Sequence, residues 1–226
     1  MIRCKTILLL VSFFSICYSA SSQETGTGAW LVYFGNNKIN TNWILQSDMQ
    51  FRMNQFPNQK NQLLLRAGLG YNLTENNHNL LLGFAFVSSA MNVDSGSLSP
   101  VNEKRIYQQY LFKKNISSVF TTNRIRLEQR FLPNEFGLRA RHFVSIQKPI
   151  NKKNLSKHSI YGSIYNEFFY ELTKLKIDRN RLYGGIGFAL TDNIRIESGY
   201  MIQSQKNITR GQVQLIMHNN ISFFKK

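Results

Sequence analysis

Thr122–Gln147 reads TNRIRLEQRFLPNEFGLRARHFVSIQ, two alternating runs about a Pro133-Asn134-Glu135 turn. In the first run Arg124, Arg126, Glu128 and Arg130 share one face, and Ile125, Leu127 and Phe131 share the other. In the second, Arg139 and Arg141 oppose Leu138, Ala140, Val144 and Ile146. A period of two is the signature of a strand, and two such runs about a short turn predict a β-hairpin with one apolar and one charged face. Which solvent each face meets decides the fold.

The same alternation recurs along the chain. Asn42 to Met53 sets Trp43, Leu45, Met49 and Phe51 against Gln46, Asp48, Gln50 and Arg52, and Gln62 to Asn72 sets Leu63, Leu65, Ala67, Leu69 and Tyr71 against Gln62, Arg66, Gly68 and Gly70. Further runs cover Asn79 to Val87, Glu103 to Phe112, Ser159 to Glu171, Asp178 to Leu190, Asn193 to Gln203 and Gln212 to Phe224. Trp30 to Phe34 is a shorter candidate, and Ser88 to Asn102, with Asp94, Gly96 and Pro100, reads as the longest loop. The long runs are roughly nine to thirteen residues, whereas soluble strands average about five or six and tilted membrane strands need about nine to eleven. Length therefore predicts an antiparallel up-and-down transmembrane β-barrel, its apolar face toward lipid and its polar face lining the lumen. A soluble sandwich would invert that arrangement.

The amino terminus agrees with export. Arg3 and Lys5 precede an apolar run from Ile7 to Ile16 and a small-residue segment, Ser19 to Ser22, which is the layout of a cleaved signal peptide over residues 1–22. The barrel domain then occupies 23–226. Cys4 and Cys17 both lie in the leader, so the mature chain has no disulfide to stabilise it. The formal net charge is +16. In an exported chain so basic a balance points to lipid phosphate or another anionic envelope component rather than nucleic acid. The expected location is the outer membrane of a Gram-negative bacterium, with the lipids of that membrane and the barrel-assembly machinery, reached through the C-terminal strand, as partners.

Two stretches echo each other. Leu65 to Asn76 and Leu182 to Asn193 both pass through a glycine-spaced strand into a Thr-acid-Asn turn, and so predict equivalent hairpins with turns on one side of the membrane. Counting back from a last strand that finishes in the periplasm leaves ten long strands, or twelve if Trp30 to Phe34 and one more belong.

On this alternation the lumen holds Arg66, Arg105, Arg124, Arg126, Glu128, Arg130, Arg139, Arg141, Glu167, Arg181, Arg195 and Glu197, with Arg52, Asp48 and Glu171. Opposite charges about 4 Å apart gain roughly 4 kcal/mol at an effective dielectric near 20, and an unpaired buried charge costs several. These residues are expected either to plug and stiffen the barrel as a packed network or, through surplus arginine, to bind a small anionic ligand or form an anion-preferring path. Gly184-Gly185-Ile186-Gly187 lies inside a strand with no helix to receive a phosphate, so its glycines are expected to permit curvature or make room for a large lumen neighbour. Neither zinc-type Cys/His spacing nor a Gly-x-Ser-x-Gly elbow occurs, and no cofactor or metal is expected. A lipid hydrolase would need a histidine beside a serine and a polar orienting group. His142, Asn166 and Ser198 share the apolar face, but Ser198 is three strands from His142. His218 points inward and is expected in a lumen network.

Several stretches together resemble the bacterial proteins grouped as domain of unknown function 2490: Trp30 with Tyr33 to Asn36, Gln62 to Arg66 through Gly70 to Leu73, Arg105 to Gln109, Arg126 to Phe131, Tyr165 to Glu167, and Asp178 to Gly185. The resemblance implies an outer-membrane-like β-barrel and supplies no catalytic residues. It also implies that the Trp30 region belongs to the barrel, which favours twelve strands.

Overall fold

The computed structural model describes residues 27–53, 61–74, 77–92, 98–206 and 208–224. The predicted leader and Lys225-Lys226 lie outside the described residues. The strands are β1 (Gly28–Lys38), β2 (Trp43–Met53), β3 (Asn61–Asn72), β4 (His78–Asn92), β5 (Leu98–Ile116), β6 (Val119–Leu132), β7 (Glu135–Pro149), β8 (Ile160–Glu171), β9 (Lys176–Ala189), β10 (Ile194–Gln205) and β11 (Ile208–Asn219). They close into one barrel in sequence order, which excludes a two-sheet sandwich.

Among the described residues the strand count is eleven, neither ten nor twelve, and the barrel is not wholly antiparallel. Every sequential pair is antiparallel, but β1 closes on β11 in parallel, from Gly28↔Gln212 to Gly35↔Asn219. An odd count imposes this: the first and last strands of an up-and-down barrel then run the same way, and the chain enters and leaves at opposite rims. We call these the N-rim, where β1 begins, and the C-rim, where β11 ends. The short candidate Trp30 to Phe34 is the middle of a full strand. Gly35, Asn36 and Asn37 look like turn residues, yet they pair with Ser47, Gln46 and Leu45.

The region Ser88 to Asn102 is not one long loop. The β4–β5 ladder continues from Ser88↔Asn102 to Asn92↔Leu98, because extending the pairing satisfies backbone groups that a loop would leave to solvent. The last strand stops at Asn219, short of Phe224; beyond it Phe223 N donates to Lys38 O at 2.9 Å and Asn37 Nδ2 to Ile221 O at 2.8 Å, laying the tail across the end of β1.

The opening hairpin forms as its pattern dictates. Leu132 pairs with Glu135 across Pro133-Asn134, and the ladder runs back to Phe120↔Gln147. At Thr191 the hydroxyl accepts from the backbone N–H of Asn193 (3.2 Å) and Ile194 (3.0 Å), closing the β9–β10 turn. Strand direction places this turn and the one after β3 at the same rim, as the echo requires.

Side chains sort by the alternation. Outside, Leu31, Leu45, Met49, Leu65, Leu82, Phe84, Ile125, Ile164, Ile186, Ile202 and Leu215 form an exposed apolar belt. Trp43 and Tyr71 meet edge-on at one rim (5.1 Å), and Phe131 and Phe136 meet at the other (5.4 Å). Inside, three buried tyrosines lie over glycines of neighbouring strands. A Cβ on Gly83 would strike Tyr107, one on Gly187 would strike Tyr161, and one on Gly199 would strike Tyr183. The strand glycines therefore make room for large lumen neighbours, while Gly184 faces open space.

Candidate functional site

The lumen is the candidate site, and it is built around two carboxylates. Glu128, on β6, has a side chain only 1% exposed. Arg139 Nη2 donates to its Oε2 at 2.6 Å, Arg141 Nη1 to its Oε1, and Arg105 and Arg126 stand at 3.6 and 3.7 Å. Glu167, on β8, accepts from Arg141 Nη2 (2.5 Å) and Arg124 Nη2 (2.6 Å), with Arg181 at 3.5 Å. Arg141 thus bridges both carboxylates. Single-residue alternation on adjacent strands puts these groups level, and burial makes each pairing obligatory, since an unpaired charge there costs several kcal/mol.

Toward the N-rim the network continues through Glu103, which receives both Arg105 Nε and Nη2 at 2.8 Å and Arg130 Nε at 2.5 Å. Arg130 also reaches Glu171 at 3.2 Å, and Asp178 takes Arg139 (3.2 Å) and Arg179 (2.9 Å). Asp48 pairs with Arg66. Guanidiniums also lie over rings, with Arg52 at 4.1 Å and Arg181 at 5.0 Å from the Trp30 centroid and Arg126 at 4.3 Å from Tyr107. Cations held this way retain attraction without a carboxylate. Arg52 is such a case, for among the described residues its hydrogen-bond partners are Gln50 and Gln62.

Two cavities lie within the barrel. One, of about 180 Å³ near the N-rim, is lined by Glu103, Arg105, Arg130, Arg139 and Arg179 among others. The other, of about 220 Å³ toward the C-rim, has two unlike walls. Trp30, Val32 and Phe34 on β1 with Ile216 on β11 make one apolar; Arg66 on β3, Lys113 on β5 and Arg124 on β6 make the other cationic. Arg52, Arg141 and Arg181 line both cavities and therefore stand between them.

All twelve lumen residues singled out in the sequence face inward. Ten have the partners already given, and Arg195 donates to Gln147 Oε1 at 3.3 Å and lies over Tyr161. His218 is 3.7 Å from Glu197 and stacks on Phe34, inside as expected. Sequence reasoning missed Glu103, although it shares the parity of Arg105. It also missed Arg179, although it shares the parity of Arg181, and Asp178, which the register shift at Phe169/Tyr170 leaves out of the ladder. The apolar wall of β1 and β11 went unrecognised too.

The structure does not bring His142, Asn166 and Ser198 together. They face outward on β7, β8 and β10, and Asn166 Nδ2 donates to Asn180 Oδ1 (3.0 Å) and Arg181 O (3.1 Å). Among the described residues no cluster of three or more His, Cys, Asp or Glu could hold a metal ion.

A family model described as Protein of unknown function (DUF2490) matches residues 27–214, from the start of β1 to the middle of β11. The chain belongs to this family. No curated protein and no solved structure matches it. For this DUF2490 barrel the site must therefore be read from its own lumen, where buried arginines crowd a limited set of shared carboxylates.

Proposed function

We propose that this protein spans the outer membrane as a β-barrel whose lumen is closed by its arginine–carboxylate network, and that it holds a small anionic ligand inside rather than passing solutes freely. The observation that carries this reading is the partition between the cavities by Arg52, Arg141 and Arg181. A path along the axis would have to displace guanidiniums fixed by Glu128, Glu167 and Trp30.

The membrane assignment rests on the belt. Contiguous exposed apolar surface of this extent is unfavourable in water, at about 25 cal/mol per Å², and favourable against lipid tails. Ring pairs at both rims suit the two interfaces of a bilayer. β11, with Val213, Leu215 and Met217 outward, is the strand we assign to recognition by the assembly machinery.

Membrane extraction followed by gel migration with and without heating tests the barrel, and planar-bilayer recording tests the closure. The expected result is heat-modifiable migration with no steady conductance. Replacing Arg126 and Arg139 together by alanine should lower the melting temperature without creating a conductance step. A well-defined open conductance in the wild-type protein would overturn the closed lumen.

A further inference from the structure

The larger chamber contains a place where donors outnumber acceptors. Arg66 on β3 and Arg124 on β6 both line it and lie within electrostatic reach of one another. Asp48 occupies one nitrogen of Arg66 and Glu167 one of Arg124. Arg66 Nε and Nη1 and Arg124 Nε are buried with no hydrogen-bond acceptor on the protein. Buried donors without partners cost about 1–3 kcal/mol each, more when charged, so three in one cluster need an acceptor from outside the chain.

Charge points the same way. Glu167 is shared by Arg124, Arg141 and Arg181, and Glu128 by Arg105, Arg126, Arg139 and Arg141, so neither neutralises the cluster by itself. A single guanidinium fork suits a planar carboxylate, whereas donors converging from two separate strands suit a head with three outward oxygens. Opposite them stands the apolar wall of Trp30, Val32 and Ile216. At about 220 Å³ the chamber exceeds the ~150 Å³ that admits a benzene ring.

We propose that Arg66 and Arg124 form a phosphomonoester site, which takes a dianionic phosphate head with a compact apolar body lying against Trp30, Val32 and Ile216. This rests on the reading of the lumen as a closed, anion-accepting chamber.

The test is calorimetric titration of the full chain, extracted in a maltoside detergent free of phosphate, with phenyl phosphate, inorganic phosphate, benzoate and dihexanoyl phosphatidic acid. Phenyl phosphate should bind one to one, and benzoate about tenfold more weakly or worse, the factor expected when one charge-assisted hydrogen bond is lost. Arg124→Gln should weaken phenyl phosphate by about tenfold or more on the same basis, and it leaves Glu167 paired with Arg141 and Arg181. Arg124→Lys keeps the charge and should still lose affinity through the missing Nε donor. Competition by the short phosphatidic acid would assign the head to a lipid, and its absence beside phenyl phosphate binding would assign it to a free metabolite; either supports the site. Equal binding of benzoate overturns the phosphate assignment, and unchanged affinity in folded Arg124→Gln overturns the site. Absence of any saturable binding to protein that still shows heat-modifiable migration and no conductance overturns the proposal while leaving the closed barrel intact.

Discussion

The wall from β5 to β9 and the seam where β1 meets β11 are held together by different chemistry. Along β5 to β9 the ladders are antiparallel and long, and the lumen in front of them is filled with the Glu128 and Glu167 networks. At the seam the ladder is parallel and shorter, and parallel pairing is slightly less stable per residue. There the lumen side is apolar, with Trp30, Val32, Tyr183, Met201 and Ile216 packed as one cluster. Buried ion pairs add little net stability against an apolar replacement but punish the loss of one partner, whereas apolar packing stabilises in proportion to area removed from water. The barrel therefore places specificity in its charged wall and adhesion at its weakest joint, and Arg52 and Arg181, lying over Trp30, connect the two.

The contrast breaks first at Glu128. Glu128→Ala leaves Arg105, Arg126, Arg139 and Arg141 facing one another without their shared counter-charge, which should cost about 3–5 kcal/mol in an unfolding titration followed by gel migration. A loss under about 1 kcal/mol would mean that water screens the wall and that the pairs are not obligatory. Next comes Ile216→Ala, which thins the apolar cluster at the seam. It should cost about 2 kcal/mol, the low end for a core truncation, because the void opens into the neighbouring chamber rather than standing isolated. If Ile216→Ala outweighs Glu128→Ala, adhesion at the seam and not the ionic wall governs stability.

Alternation made one half of this picture legible. The twelve charged residues singled out between Arg66 and Glu197 took their side from period two alone, because the two faces of each strand meet such different surroundings. The seam was illegible for the same reason. On β1 the inward Trp30, Val32 and Phe34 are as apolar as the outward Leu31, so no contrast marks the inner face, and Gly35-Asn36-Asn37 resembles a turn until β2 and β11 supply its partners. Parity was inferred from an even count, and a parallel closing pair carries no local signal. Glu103 was within reach, two residues before Arg105 on the same face. Asp178 was not, since the irregularity at Phe169/Tyr170 arises from pairing between strands.

The smallest effect isolates what burial does. Lys174, in the β8–β9 turn, places Nζ 2.5 Å from Glu135 Oε1, the same kind of pair as Arg139 with Glu128, but with side chains 50% and 49% exposed. Its carboxylate neighbour lifts the Lys174 ammonium above the ordinary lysine value. A group whose folded value is raised stabilises below its unfolded value, about 10.4, and loses that contribution as pH climbs through the folded one. Melting temperatures of wild type and Lys174→Ala should therefore differ at most slightly at pH 8 and coincide once the pH has passed the raised Lys174 value; salt should also close any gap, because exposed charges are screened. A Lys174→Ala loss at pH 8 rivalling that of Glu128→Ala would show that an ion pair is worth as much outside the barrel as inside, and burial would no longer explain why the charged wall holds.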